Sequence, residues 1–356
     1  MKIIDIFSGA GGLSLGFKQA NFQIVLSVEL EKVYCETYKH NNQDSTCLNK
    51  DITLINCEAI AHKHLNNKEI DGIIGGPPCQ GYSSVGNRNI NDPRNTMIFY
   101  FIKWVDFFQP EFFVMENVPG ILSMDNGGVV KKIKKMYQDI NYSCQVEKMR
   151  ALDHRVPQKR KRVFFIGFKG NSKVIKLHKE NGNNSHLVKD AISDILDLPP
   201  FRKKCRDEMT LDYISPPKTS YQKYLRKNSR KLSNHFAPNH GKVVRERISH
   251  IKPGENHASL PKEFQLKSGY PNIYGRLHLD KPADTITGNC GCISAPGRFI
   301  HPIQDRAISV REAARLQSFP DDYVFKGSLN QKYKQVGNAV PPLMAVSLAK
   351  SIKEML

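Results

Sequence analysis

Lys2-Ile3-Ile4-Asp5-Ile6-Phe7-Ser8-Gly9-Ala10-Gly11-Gly12 lies at the start of the chain, and the order of its residue types decides the fold. Residues 3–7 read as a short β-strand, and the small residues after them let the backbone turn sharply into a helical stretch. A strand that feeds a glycine turn and then a helix lets a ligand pass close beneath the turn, at the carboxyl edge of a sheet. The run departs from the dinucleotide fingerprint G-x-G-x-x-G, because Ser14 stands three residues after Gly11. A pyrophosphate cradle is therefore not specified.

Outward from this stretch the alternation continues. Residues 24–30, 70–74 and 112–115 are apolar β-type runs, residues 31–39 and 98–108 have helical spacing, and residues 163–168 supply a later strand. The pattern predicts an α/β domain with a mostly parallel sheet covered by helices. Glu29 ends the second strand, where a carboxylate can accept hydrogen bonds from ribose hydroxyls, and Asp51-Ile52 after the next short strand can meet an adenine amino group in the same crevice.

Beyond residue 168 the periodicity degrades into a basic region with runs such as Asn181-Gly182-Asn183-Asn184 and Ser215-Pro216-Pro217-Lys218. A second domain is expected to start there. Regular signals return at residues 309–316, where Ser309 and Glu312 form a capping box, and in an amphipathic helix over 343–352 that is expected to rejoin the first domain.

The 356 residues are 40% hydrophobic and 24% charged. No stretch approaches the roughly 18 apolar residues needed to span a bilayer, and Asp5 interrupts the start where a signal peptide needs its apolar core. The expectation is a cytoplasmic protein with no membrane partner. Its formal net charge is +19, and residues 169–283 hold 23 Lys and Arg against 11 Asp and Glu. That distribution points to a polyanion, nucleic acid before an acidic metabolite, facing the middle of the chain. The eight cysteines lack zinc-site spacing, and Cys290-Gly291-Cys292 alone supplies at most two of four ligands, so no metal is expected.

One cysteine stands apart. Gly75-Gly76-Pro77-Pro78-Cys79-Gln80-Gly81 follows the strand at 70–74, and two glycines followed by two prolines make a tight, stiff turn that displays Cys79 at a strand end.

The run resembles the Pro-Cys-Gln motif of the DNA cytosine-5 methyltransferases, of the bacterial restriction-modification type, and further motifs similar to that family's follow in order. They are Asp5-Ile6-Phe7-Ser8-Gly9-Ala10-Gly11-Gly12, Glu116-Asn117-Val118, Gln158-Lys159-Arg160-Lys161-Arg162, Arg311-Glu312-Ala313-Ala314-Arg315-Leu316-Gln317, and Gly337-Asn338-Ala339-Val340-Pro341-Pro342. The resemblance covers residues 1–168 and 284–356. It implies a Rossmann-like, doubly wound, mostly parallel sheet as the catalytic domain (1–168), a smaller irregular target-recognition domain (169–283), and a closing segment (284–356) whose last helix returns to the first domain.

The resemblance also implies the chemistry. The C5 atom of cytosine is too weak a nucleophile to take a methyl group unaided, so the Cys79 thiolate adds to C6 and makes C5 enamine-like. Glu116 pairs with N3 and the exocyclic amine, Arg162 contacts O2, and Arg160 does similar work near the thiolate or the backbone. S-adenosylmethionine is the donor and S-adenosylhomocysteine the product. Phe7 lies against the adenine, Ala10 and Gly12 near the methionine part, Glu29 on the ribose and Asp51-Ile52 on the adenine edge, with Pro77 and Asn338 lining the pocket. Gln80, Ser83, Arg88, Asn117, Gln158 and Thr285 fall to the DNA side.

The target base must leave the duplex to reach a thiolate. Residues 81–95 have the small and polar content of a lid, with Arg88 or its neighbours filling the vacated stack. Sequence choice is expected within 169–283, with Arg226, Arg230, Arg245 and Arg247 as candidates, and Thr285-Ile286 matches the dipeptide that closes that region in the family. Double-stranded DNA is the expected partner, with a cognate restriction endonuclease alongside. The rival readings are a tRNA cytosine-5 methyltransferase, whose Cys-Phe-Thr signature is absent here, and a catalytically silent DNA-binding module.

Overall fold

Strands that lie buried on both faces of a sheet are apolar almost without interruption, and the first half of the chain builds its sheet from such runs. The computed structural model describes residues 1–65, 69–78, 96–170, 174–178, 186–202, 206–266, 273–294 and 296–356. β1 (Lys2–Ile6), β2 (Gln23–Glu29), β3 (Thr46–Asn49), β4 (Gly72–Gly75), β5 (Phe112–Asn117), β6 (Gln145–Arg150) and β7 (Lys161–Phe168) form one seven-stranded sheet in the order β3-β2-β1-β4-β5-β7-β6. All pairs are parallel up to β5, and β7 then runs antiparallel between β5 and β6. This is the expected doubly wound, mostly parallel sheet. Helices α1 (Gly12–Gln19), α2 (Lys32–Asn41), α3 (Cys57–Leu65), α4 (Met97–Phe108) and α5 (Gly128–Asp139) connect it.

The chain divides into two compact units, one of Met1–Arg150, Lys161–Glu180 and Pro342–Leu356, the other of Ala151–Arg160 and Asn181–Pro341. Residues 151–160 and 284–341 thus group with the second unit. Backbone pairing explains the first of these: the Lys159 amide donates to Ala283 at 2.8 Å and the Ala283 amide to Pro157 at 2.9 Å.

The second unit contains α6 (Val188–Ile192), α7 (Ser220–Arg226), α8 (Lys242–Ser249), α9 (Val310–Leu316) and α10 (Leu329–Asn338), with an antiparallel pair β8 (Thr210–Asp212) and β9 (Lys231–Ser233). α9 starts as the sequence reads, with Ser309 Oγ accepting from the Glu312 amide and the Glu312 carboxylate accepting from the Ser309 amide. Within it Arg315 pairs with Asp194 and Asp321, each at 2.6 Å, all three side chains fully buried.

The last helix, α11 (Pro342–Lys353), belongs to the first unit and packs on α1. Gly16 makes this possible, because a Cβ there would meet Ala345 Cβ at 2.3 Å and the Pro342 carbonyl oxygen at 2.6 Å. Among the described residues, no helix is long and apolar enough to cross a membrane.

Candidate active site

After β1 the chain goes to β2 and β3 on one side, then crosses back to β4 and β5 on the other. The crevice beyond the carboxyl ends of β1 and β4 is therefore a topological switch point, where sheets of this kind bind ligands. The loop after β1 is built for close approach. Phe7, Gly9 and Gly11 have φ of 58°, 56° and 88°, a left-handed conformation that is uncommon for Phe7 as a non-glycine residue. A Cβ on Gly9 would meet nothing within 4 Å, so the loop presents bare backbone there.

Glu29 braces this loop from the end of β2. Its carboxylate accepts from the Gly9 amide at 2.7 Å and the Glu31 amide at 2.8 Å. Burial pushes its pKa up, while those two amides pull it back. Asp51 caps the short turn at Ile52–Leu54, accepting from the Thr53 amide at 2.9 Å and its hydroxyl at 2.8 Å. Ala10 and Ile52 are buried, Gly12 is the first residue of α1, and Pro77 is buried in the turn after β4. Asn338 ends α10 in the second unit, exposed.

On the other flank, β7 runs antiparallel to β5, so its beginning lies beside β5's carboxyl end, with Asn117 opposite Val163 and Glu116 opposite Phe164. This register brings Arg162 to Glu116, Nε to Oε1 at 2.6 Å, with each side chain 13% exposed. The pair is sheltered enough for its charges to act strongly and open enough to be reached. The turn after β4 rests on the same carboxylate, since a Cβ on Gly76 would lie 3.0 Å from Glu116 Oε2. Gly76 is three residues ahead of Cys79. Cys79, Gln80, Ser83 and Arg88, with the rest of the segment 81–95, lie outside the described residues.

Asn117 is buried, its Oδ1 accepting from the Val118 amide at 2.9 Å, while its Nδ2 has no partner among the described residues. Three other candidate residues have partners within the fold. Arg160, read as a charge near the thiolate or the backbone, is fully buried and donates to the carbonyls of Ile286, Gly337 and Ala339 at 2.8–2.9 Å. Gln158, placed on the DNA side, donates through Nε2 to Leu316 O and Gln317 Oε1 and accepts at Oε1 from the Ile286 amide. Arg226, a candidate base reader, is held by Asp194 at 3.0 Å, by Ser215 O, and over the Tyr213 ring. Each satisfies buried groups that sequence spacing does not reveal. Thr285 is half-buried beside Ile286, and Arg230 and Arg245 are exposed.

The residues 1–354 match the family model described as C-5 cytosine-specific DNA methylase. The chain is 36% identical over 358 residues to the Type II methyltransferase M1.HphI of Haemophilus parahaemolyticus, covering 100% of this chain and 87% of that protein. It is 37% identical over 384 residues to the Type II methyltransferase M.DdeI of Desulfomicrobium norvegicum, covering 99% and 88%. Among solved structures, one described as a DNA modification methyltransferase encoded within an E. coli prophage superposes with a TM-score of 0.83 at 29% identity, over 100% of this chain and 99% of that one. The Entamoeba histolytica methyltransferase EhMeth shares the fold, with a TM-score of 0.62 at 15% identity over 99% and 98% of the two chains. With its sheet order, its Glu116–Arg162 pair beside the turn into Cys79, and a family match along nearly its whole length, the chain belongs to the C-5 cytosine-specific DNA methylases.

Proposed function

We propose that the protein transfers a methyl group from S-adenosylmethionine to C5 of a flipped-out cytosine in a specific duplex DNA sequence, as the modification enzyme of a Type II restriction-modification system. The observation that carries this reading is the Glu116–Arg162 pair, set at the end of β5 against the turn that leads to Cys79. A carboxylate and a guanidinium held together suit a base that gains charge at N3 and O2 while its C6 is attacked.

The loop of residues 7–12, Glu29, Asp51-Ile52 and Pro77 have the backbone access and acceptor groups that the donor needs, and Asn338 is assigned to the same pocket. Bound there, S-adenosylmethionine supplies an electrophilic methyl group. The Cys79 thiolate adds to C6, forming the S–C6 bond and placing an electron pair at C5, while Glu116 holds the proton at N3 and Arg162 faces O2. Once C5 carries the methyl group, loss of its proton to a base returns the electron pair and expels Cys79 as the thiolate, with S-adenosylhomocysteine as the other product. Arg88, Gln80, Ser83 and Asn117 serve the vacated stack and the flipped nucleotide. The setting is the cytoplasm, the partners are double-stranded DNA and a cognate endonuclease, and no metal takes part.

The test uses unmethylated genomic DNA, tRNA and tritiated S-adenosylmethionine. Label is expected in duplex DNA at one sequence, mapped by bisulfite sequencing, and Cys79→Ala should abolish it while DNA binding persists. With 5-fluorocytosine in the mapped site, the wild type should be trapped covalently. Activity surviving Cys79→Ala, or label in tRNA alone, would overturn the proposal.

A further inference from the structure

Cys35 in α2 and Cys47 in β3 lie 12 positions apart in sequence, and the fold brings their Sγ atoms to 2.9 Å. Both side chains are buried, yet β3 is the edge strand of the sheet and Lys39, one helical turn beyond Cys35, is exposed, so solvent is near on that side. The parallel register sets Cys47 beside Ser27 and Asn49 beside Glu29. Asn49 Nδ2 donates to the backbone oxygens of Glu29 at 3.0 Å and Leu30 at 2.7 Å. The two thiols therefore join α2 to the strand that braces the end of β2.

The thiols are not equivalent. A hydrogen bond from Cys47 pulls the Cys35 pKa down against its burial, and the Lys39 charge adds to the fall while the Glu29 charge opposes it. The same hydrogen bond, with burial, pushes the Cys47 thiol up, and burial pushes up the thiols of Cys57, Cys144 and Cys290. The thiolate is the form that attacks an oxidant, so Cys35 suits the attacking role and Cys47 the resolving one. A disulfide holds its sulfurs at about 2.05 Å, so closure asks for a movement of about 1 Å, within the reach of side-chain torsions.

We propose that Cys35 and Cys47 are a redox-active dithiol that a hydroperoxide closes to a disulfide, fastening α2 to β3. The Cys35 thiolate attacks one oxygen of hydrogen peroxide, forming an S–O bond as the O–O bond breaks, and the departing hydroxide becomes water with the proton that Cys35 gave up. Cys47 then attacks the Cys35 sulfur, forming the S–S bond as the S–O bond breaks, and the second hydroxide leaves as water with the Cys47 proton. Two thiols lose two electrons and two protons, and the peroxide is reduced to two waters. The new bond closes a short loop and restricts the unfolded chain, so the oxidised protein is the more stable one.

The experiment titrates the reduced full-length protein with hydrogen peroxide, alkylates the remaining thiols and maps peptides without reductant by mass spectrometry. A peptide cross-linked between Cys35 and Cys47, lighter by two hydrogens and reopened by dithiothreitol, is expected before Cys57, Cys144 or Cys290 is oxidised. Cys47→Ser should leave Cys35 as a sulfenic acid that dimedone labels, whereas Cys35→Ser should leave Cys47 unlabelled. The oxidised wild type should melt about 5 °C or more above the reduced one, a shift that Cys47→Ser lacks. If a variant does not fold, the wild-type map and melting decide. Cys35 and Cys47 both recovered alkylated after Cys57, Cys144 and Cys290 have been oxidised overturns the proposal, as does a cross-link that leaves the melting temperature unchanged or lowers it.

Discussion

Glu116 Oε1 and Arg162 Nε stand 2.6 Å apart across the antiparallel β5–β7 pair. Forty-six positions separate them in sequence. Their meeting depends on β7 entering the sheet from the opposite direction to β1–β5, which sets its first residues at the edge where the parallel strands end. The pair is sheltered, so removing either member leaves a charge with less compensation.

Glu116→Gln and Arg162→Lys should each lower single-turnover methyl transfer by about a hundredfold or more, the range for a positioned acid–base group. Arg162→Lys is no conservative change, since a compact ammonium on a flexible stem does not reproduce the planar guanidinium set beside the carboxylate. Rapid-quench transfer at saturating donor and DNA checks this, and a loss confined to DNA affinity would remove both residues from the chemistry.

Asp5 is buried within β1, its Oδ2 accepting from Ser14 Oγ at 2.5 Å, and the Ser14 Oγ in turn lies 2.8 Å from the Tyr38 hydroxyl. Burial pushes its pKa up to about 7 from 3.8, with Ser14 opposing and the nearby Glu29 charge adding to the rise. Between those values the unfolded chain is ionised while the folded chain holds the proton, so stability from this group is full below the lower value and lost as pH rises through the upper. Melting of the wild type and Asp5→Asn at pH 6 and pH 8.5 should show the variant gaining on the wild type at the higher pH. A difference between the two that does not change with pH would refute the shift.

Glu312 binds Arg306 through both carboxylate oxygens at 2.8 Å, and both side chains are fully buried. Burial favours the neutral acid, but the Arg306 and His301 charges outweigh it and hold the carboxyl well below the usual range. Its contribution is therefore present above the unfolded value of about 4.3 and lost as pH falls towards the folded one. Glu312→Gln should cost roughly 3–5 kcal/mol at pH 7 by stranding Arg306, and that cost should shrink in acid. Urea unfolding at pH 7 and pH 4 measures both.

Gly16→Ala tests the seat of the last helix. An alanine in a helix interior is ordinarily worth up to about 1 kcal/mol over glycine. Here the new methyl would meet Ala345 Cβ at 2.3 Å and the backbone oxygen of Pro342 at 2.6 Å. The net effect should be destabilisation by about 1–3 kcal/mol, read from denaturant midpoints.

Five strands were legible as apolar runs because the sheet buries them on both faces. β6, Gln145-Val146-Glu147-Lys148-Met149-Arg150, was not, because it is the edge strand beside β7 and keeps polar, partly exposed residues. The helix start at Ser309 was legible because a capping box is a local device of four residues. Gly16 gave no such signal, since the contact that requires it lies more than 300 residues away at Pro342 and Ala345.

By itself the sequence determined the fold class, the family and the residue types the chemistry needs, because strand periodicity, glycine and proline turns and ordered motifs are local properties of the chain. Only the tertiary structure decided how the arginines divide their work. Arg160 and Arg162 are two positions apart in one motif, yet Arg162 meets a carboxylate at the end of β5 and Arg160 meets three backbone carbonyls. A side chain's role is set by which unsatisfied groups the fold brings within its reach, and those groups come from segments far away in sequence.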